Sequence, residues 1–155
     1  MEQGLSHQSG VATLHLRRDT GQASLLGDWE GKQAGEILIQ LTTLDAAISK
    51  FGHPRFCKID VEGAEPQVIK GLSQPIPIMS IEYHADPRGT ELLRECLSLL
   101  SRLGDYDLNA TAEEGSQLLY SGWMKHEDFI CSFPENVRPS MYGDIFLRFE
   151  STTQL

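Results

Sequence analysis

The sequence predicts an α/β fold in which two parallel strands are joined by a helix. Residues 56–61 form a short, largely apolar run of strand length, and residues 76–83 form a second run between two prolines. Between them, Pro66 suits the first position of a helix and Gly71 is placed to end it. Strand, helix and strand in this order form a βαβ unit, so both strands are expected to end at one edge of a parallel sheet.

The N-terminal part of the chain predicts a β-hairpin followed by a short helix. Apolar and polar residues alternate over residues 11–17 and again over residues 36–41, which is typical of half-buried strands. These two strands are expected to pair with each other. Thr43 or Asp45 can then cap a helix that runs to Phe51.

The C-terminal half predicts one long helix and two further strands. Apolar residues at helical spacing give residues 92–103 a broad apolar face, and a glycine follows that can stop the helix. A short strand is predicted at 106–109, and an internal strand, apolar on both sides, at 144–149. Between these strands, residues 125–129 favour a single helical turn, and residues 134–139 lie between two prolines as a loop.

Acidic side chains and one histidine follow the two strands of the βαβ unit. Side chains alternate along a strand, so Asp60 and Glu62 lean to one side of the first strand, and Glu82 and His84 share a side of the second. If the strands are neighbours, these four residues lie within a few side-chain lengths of one another. Grouped carboxylates and an imidazole raise one another's proton affinity or hold a cation, and both arrangements are typical of active sites.

The same residues also have purely structural interpretations. Lys58 lies on the same side of the first strand and can simply neutralise Asp60, and a carboxylate after a strand can cap the free N–H groups of the next helix. Glu65 is expected to be such an N-terminal cap. Packing explains less easily why a buried strand ends in two ionisable residues, Glu82 and His84.

The length and composition of the chain limit which kind of protein it can be and which partners it can bind. A chain of 155 residues is one domain by length and can bury a hydrophobic core. Its 22 acidic and 13 basic residues give a formal net charge of -9 without a Lys/Arg cluster, which argues against nucleic acid or an anionic membrane as partner. No apolar run reaches membrane-spanning length and the start does not resemble a leader. Three widely spaced cysteines indicate reduced thiols in a cytoplasmic protein.

Several motifs of the chain resemble the C-terminal half of the FkbM family of S-adenosylmethionine-dependent methyltransferases. The resemblance covers residues 5–149, and the Lys58-Ile59-Asp60-Val61-Glu62-Gly63-Ala64-Glu65 octet is its most specific part; the other matching positions are Thr43-Leu44-Asp45, Ile69, Gly71-Leu72, Ile81-Glu82 and the closing strand Tyr142-Gly143-Asp144-Ile145-Phe146. The resemblance implies a class I, Rossmann-like methyltransferase fold with a mixed, mostly parallel sheet and flanking helices. It also implies methyl transfer from S-adenosylmethionine, usually to a hydroxyl group of a sugar or another small metabolite.

The chain departs from that family at its N-terminal end. Family members begin with an acidic residue and a glycine-rich turn after the first strand, which cradle the methionine end of the cofactor, and their second strand ends in an acidic residue for the ribose hydroxyls. The glycines within residues 4–35 lie in polar, turn-like sequence, and none follows an apolar strand and opens a helix. We therefore expect a partial domain over residues 5–150 that begins near the family's third strand, with a disordered tail at 151–155. No cofactor-binding residue is assigned.

Two functions of different classes fit these observations, and the first is catalytic. In this interpretation the chain transfers a methyl group to a small-molecule hydroxyl, with His84 or Asp60 as general base and with Glu62 and Glu82 orienting the acceptor. Carboxylates with one imidazole also suit a divalent cation, but no metal site is predicted.

The second function is that of a non-catalytic binding module, a truncated methyltransferase-like domain or pseudo-enzyme. Without the domain's first strand beside it, the apolar strand at 56–61 becomes a sheet edge that invites pairing with another chain. We therefore expect a homo-oligomer or a partner chain that covers this edge. A hydrolase that uses two carboxylates across a cleft is a third alternative.

Overall fold

The computed structural model describes residues 3–18, 22–28, 31–113, 115, 117–138 and 141–150, and for residues 134–136 it describes the backbone alone. The predicted disordered tail at 151–155 lies outside the described residues. The chain divides into two compact units. The first comprises Met1–His53 and Asp60–Ser73, and the second comprises Pro54–Ile59 and Gln74–Leu155.

A four-stranded sheet forms most of the first unit. Its strands are β1 (Gln3–Leu5), β2 (Gly10–Arg17), β3 (Ala23–Ser24) and β4 (Gln33–Thr42), in the spatial order β1-β4-β2-β3. β2 and β4 are antiparallel, which confirms the predicted pairing of residues 11–17 with residues 36–41, while β1 runs parallel to β4. Because residues opposite each other in the antiparallel pair share a face, Leu14 and Ile37 lie on the same side of this sheet.

Two short helices complete the first unit. α1 (Leu44–Phe51) begins as predicted, because the hydroxyl of Thr43 accepts a hydrogen bond from the backbone N–H of Ala46 at 3.1 Å. α2 (Glu65–Lys70) is followed by Gly71, as predicted. A side chain at Gly71 would collide with the backbone carbonyl of Ser6, so glycine allows the chain to approach closely here.

The second unit contains a five-stranded sheet with a single parallel pair. Its strands are β5 (Phe56–Ile59), β6 (Ile78–His84), β7 (Tyr106–Ala110), β8 (Met124–Lys125) and β9 (Tyr142–Phe149), in the order β5-β6-β9-β7-β8. β5 and β6 are parallel, as the βαβ pattern predicts. β9 lies between β6 and β7 and is antiparallel to both, so it is the predicted internal strand.

A mostly parallel, Rossmann-like sheet is therefore not confirmed, because both sheets are mixed. The parallel pairs are β1 with β4 and β5 with β6, and the remaining strand pairs are antiparallel. The sequence pattern did not reveal this, because an internal strand reads as apolar on both sides whichever direction it runs. β5 is also shorter than predicted, since it ends at Ile59 and not at Val61.

Both helices of the second unit differ from the prediction: the first begins earlier in the sequence than its predicted apolar face, and the second is longer than predicted. α3 (Pro87–Leu100) begins five residues before the apolar face predicted at 92–103, because the carboxylate of Asp86 accepts hydrogen bonds from the N–H groups of Arg88 at 2.8 Å and Gly89 at 2.9 Å. α4 (His126–Asn136) replaces the single turn predicted at 125–129. None of the helices that the structure describes is both long and apolar enough to cross a membrane.

The length of α4 corrects the loop predicted at 134–139. The helix continues to Asn136 because its apolar face is packed: Phe129 and Phe133 stack with ring centroids 5.0 Å apart, and Phe133 meets Tyr83 edge-on at 4.9 Å. Buried aromatic pairs of this kind outweigh a weak local preference. Residue 139, at the far end of the predicted loop, lies outside the described residues.

The core of the second unit lies around β6, β7 and β9. Its largest fully buried side chains there are those of Met79, Ile81, Tyr83, Leu108, Ile145 and Leu147. Tyr83 donates a hydrogen bond from its hydroxyl to the carbonyl of Thr111 at 3.0 Å, and burial raises its pKa to about 12. This phenol therefore stays neutral, and its hydrogen bond links β6 across β9 to the residue that follows β7.

Candidate functional site

The turn between β5 and α2, which we call the acidic turn (residues 60–65), contains a backbone conformation that few non-glycine residues adopt. Glu62 adopts a left-handed conformation with φ of 54°, and Gly63 follows with φ of 92°. A non-glycine residue in this region costs about 1 kcal/mol or more and persists only where its surroundings fix it. One such fixing contact is the hydroxyl of Ser24, which donates a hydrogen bond to the carbonyl of Glu62 at 2.6 Å.

Glu65 organises this turn from within. Its carboxylate accepts hydrogen bonds from the backbone N–H groups of Val61 and Gly63, both at 3.1 Å. The prediction that Glu65 caps the helix is wrong, because the N-cap position belongs to Ala64 and no side chain caps α2. Glu65 instead points back and satisfies the donors of the turn, which holds Asp60 and Glu62 in place.

Asp60 lines a cavity of about 520 Å³ in the first unit, which we call the aliphatic groove. Asp60 and Gln3 are the residues of its lining that carry polar side chains, and its apolar walls come from Leu5, Leu14, Leu25, Ile37, Ile39 and Val61. Sequence reasoning missed this cavity, because four strands and the acidic turn form it together. The alternation of β2 and β4 was the one signal that marked their apolar face.

In the second unit, the polar side chains form a strip on one face of the sheet. Paired residues of neighbouring strands share a face, and the register places Glu82 opposite Asp144 and His84 opposite Tyr142. We call this set the polar strip, and its members are Lys58, Ser80, Glu82, His84, Tyr142 and Asp144.

Glu82 and His84 form a pair within this strip. Nε2 of His84 lies 3.4 Å from Oε2 of Glu82, and both side chains are partly buried. The predicted shared side of β6 is therefore observed. The ring of Tyr142 stacks beside the imidazole, with ring centroids 6.4 Å apart and an angle of 28° between the planes. A carboxylate and an aromatic ring thus orient the imidazole of His84.

Asp144 is a member of the strip that sequence reasoning missed as a site residue. The buried hydroxyl of Ser80 donates a hydrogen bond to its Oδ1 at 2.7 Å, and Nζ of Lys58 lies 3.6 Å from the same oxygen. One signal marked it in the sequence: it is an acidic residue inside an otherwise largely apolar strand. Lys58 and Asp144 place one charge of each sign beside Glu82, which limits the repulsion between the two carboxylates.

The four predicted site residues are thus distributed over both units. Asp60 and Glu62 belong to the acidic turn of the first unit, and Glu82 and His84 belong to the polar strip of the second. The structure brings the second pair into contact. That all four residues form one site stays a prediction.

The resemblance implies S-adenosylmethionine as methyl donor, and a chain that binds it needs groups that match the charges of this cofactor. The cofactor carries a carboxylate, which needs a cation or free N–H groups as partner. In the acidic turn, Glu65 already occupies the N–H groups of Val61 and Gly63, and the lining of the aliphatic groove includes no Lys, Arg or His among the described residues. The described lining of the aliphatic groove therefore offers no side-chain cation as a partner for this carboxylate.

Comparison with known proteins identifies a family. The model of the methyltransferase FkbM domain matches residues 2–106, which span β1 to the first residue of β7. No curated protein and no solved structure matches the chain. The matched region includes the acidic turn and the pair of Glu82 and His84, and it covers more than half of the chain. The mixed α/β architecture is compatible with this match, and the chain belongs to the methyltransferase FkbM domain family.

Proposed function

We propose that the chain takes part in methyl transfer to a hydroxyl group of a small molecule, with His84 as the base that accepts the hydroxyl proton. The family match supports methyl transfer as the class of reaction. The observation that carries the proposal is the 3.4 Å approach between Nε2 of His84 and Oε2 of Glu82.

Transfer of a methyl group to a hydroxyl oxygen releases the hydroxyl proton, so the acceptor side of the site needs a base. Imidazole is the side chain most often used for this purpose near neutral pH, and a carboxylate partner holds it in one orientation and stabilises its protonated form. Glu82 takes this role toward His84, and Tyr142 restricts the tilt of the ring. The resemblance to the family implies S-adenosylmethionine as the donor.

The matched test uses glutamine variants of the pair. We expect His84→Gln and Glu82→Gln to lower transfer of a labelled methyl group from S-adenosylmethionine to a hydroxylated acceptor by about 100-fold, the scale typical of general-base catalysis. His53→Gln, an exposed histidine of the first unit, is the control and should retain activity. If both pair variants transfer the methyl group as fast as the unmodified chain, His84 is not the base.

A second candidate function is a binding module without catalytic activity. Glu65 favours this alternative, because its carboxylate fills the turn that would otherwise offer two N–H groups to a ligand anion. Calorimetric titration with S-adenosylmethionine and S-adenosylhomocysteine separates the two functions. Saturable binding near micromolar Kd, about -8 kcal/mol, supports the enzyme. No heat and no thermal shift at high ligand concentration supports the binding module.

A further inference from the structure

The aliphatic groove of the first unit has a shape and lining that select its ligand. The register of β2 and β4 places Leu14 opposite Ile37 and Ala12 opposite Ile39, so one face of the sheet is continuously apolar. β1 pairs with β4 and extends this face at Gly4, where a Cβ atom would come within 2.8 Å of Cδ1 of Ile39. The missing side chain keeps this end of the groove open.

The groove is large enough for a small molecule and remains partly open to solvent. Its volume of about 520 Å³ lies within the range of about 300 to 1,000 Å³ that is usual for ligand pockets. Ile37, in its wall, is 47% exposed although its side chain is fully apolar. Contiguous exposed apolar surface marks ligand-binding grooves, whereas single exposed apolar side chains are ordinary.

The side chains of the described lining disfavour several classes of ligand. The carboxylate of Asp60, with no Lys, Arg or His among the described lining residues, disfavours an anion. A sugar or another polyhydroxylated ligand would find only Asp60 and Gln3 as side-chain partners and would leave hydroxyl groups unsatisfied. The described lining also has no aromatic side chain on which a nucleobase could stack.

Among uncharged ligands, one class fits this lining. We propose that the aliphatic groove binds a neutral aliphatic alcohol, whose hydrocarbon part contacts Leu14, Ile37 and Ile39 and whose hydroxyl group donates a hydrogen bond to Asp60. A carboxylate has about four acceptor positions on its two oxygens, so Asp60 can accept this bond beside its other contacts. The proposal goes beyond the proposed function: it concerns binding by the first unit alone, and it does not require that His84 act on the bound hydroxyl group.

Three probes of equal chain length test the proposal on the full chain without cofactor. These are 1-octanol, its methyl ether and octanoate, each titrated while the methyl resonances of the isoleucines are recorded by NMR. We expect octanol to bind, the ether to bind about tenfold more weakly because it cannot donate a hydrogen bond to a carboxylate, and octanoate not to bind. Equal binding of all three, or no binding of octanol, overturns the proposal.

Neighbouring positions on one strand provide matched variants. Ile37→Asn should weaken octanol binding at least tenfold, whereas Leu38→Asn should not change it, because Leu38 is 77% exposed and lies on the opposite face of β4. Asp60→Leu should make octanol and its ether bind equally. Equal effects of Ile37→Asn and Leu38→Asn, with both variants folded by circular dichroism, would contradict the proposed position of the ligand.

The two proposals fail in different ways. Octanol that binds at Asp60 would support the groove whether or not it is methylated, and the His84→Gln and Glu82→Gln variants would still decide methyl transfer. Transfer to polar acceptors that requires His84, without any binding of octanol, would support methyl transfer and overturn the groove.

Discussion

Gly89 lies near the start of α3, where the helix passes directly over the end of β6. A Cβ atom added at this position would collide with the backbone carbonyl of His84 and would also lie 2.9 Å from the Cβ atom of His84. Because backbone cannot move aside as a flexible side chain can, the absence of a side chain at Gly89 sets how close α3 comes to the proposed base.

This close approach leads to a prediction for Gly89→Ala. Alanine favours a helix over glycine by up to about 1 kcal/mol, but the collision with His84 should outweigh that gain and reduce the free energy of unfolding by about 1 to 3 kcal/mol. Methyl transfer should fall further than stability explains, since His84 is displaced. Urea denaturation and a transfer assay measure the two effects. Gly122→Ala is the control, because nothing lies within 4 Å of its added Cβ atom. Equal behaviour of the two variants would contradict the argument.

At the scale of the elements, β7, β8 and β9 are joined by one group of charges. The carboxylate of Asp107 on β7 accepts hydrogen bonds from Nε and Nη2 of Arg148 on β9, at 3.1 and 2.9 Å, and its other oxygen lies 2.8 Å from Nζ of Lys125 on β8. Lys125 also meets Glu150 at 2.6 Å. This group attaches the two-residue strand β8 to the sheet.

These contacts predict how stability depends on pH. The hydrogen bond from Lys125, followed by that from Arg148, lowers the pKa of Asp107 below its ordinary value of 3.8. A carboxyl group with a lowered pKa in the folded chain contributes stability above its unfolded pKa and loses it as pH falls through the folded pKa. We therefore expect the free energy of unfolding to fall in acid below about pH 4, and to fall less steeply in Asp107→Asn. Denaturation at pH 7, 4 and 3 measures this, and identical slopes for both proteins would refute it.

The elements that the sequence predicted well are those with a clear period or a clear cap. The alternation of β2 and β4 and the Thr43 cap of α1 were sufficient, because local chemistry determines them. α4 was missed because its helix depends on the packing of Phe129 and Phe133, which no local pattern shows. The direction of β9 was missed because an apolar strand carries no mark of its direction.

The candidate site also combines features that the local sequence predicted with features that depend on how the chain folds. The ends of β5 and β6 were recognised from acidic residues that follow apolar runs, and the contact of Glu82 with His84 followed from the two-residue period of a strand. Asp144 and the aliphatic groove were missed, because both depend on which strands become neighbours. The inward role of Glu65 was missed because the same spacing that suits a cap also allows a side chain to turn back.

At the scale of the whole molecule, β5 occupies an edge of its sheet, with β6 as its single strand neighbour among the described residues. Phe56 on β5 is 51% exposed and lies beside Ile78, which is 44% exposed, so the edge carries apolar surface.

Open apolar edges pair with other chains, and we expect the chain to self-associate as its concentration rises. The net charge of -9 opposes this, so added salt should strengthen association by screening the repulsion. Phe56→Lys should weaken association, whereas Phe51→Lys, at a 70% exposed position on α1, should not. Light scattering over a concentration series measures both, and a monomer at high concentration and high salt would show that this edge attracts no second copy.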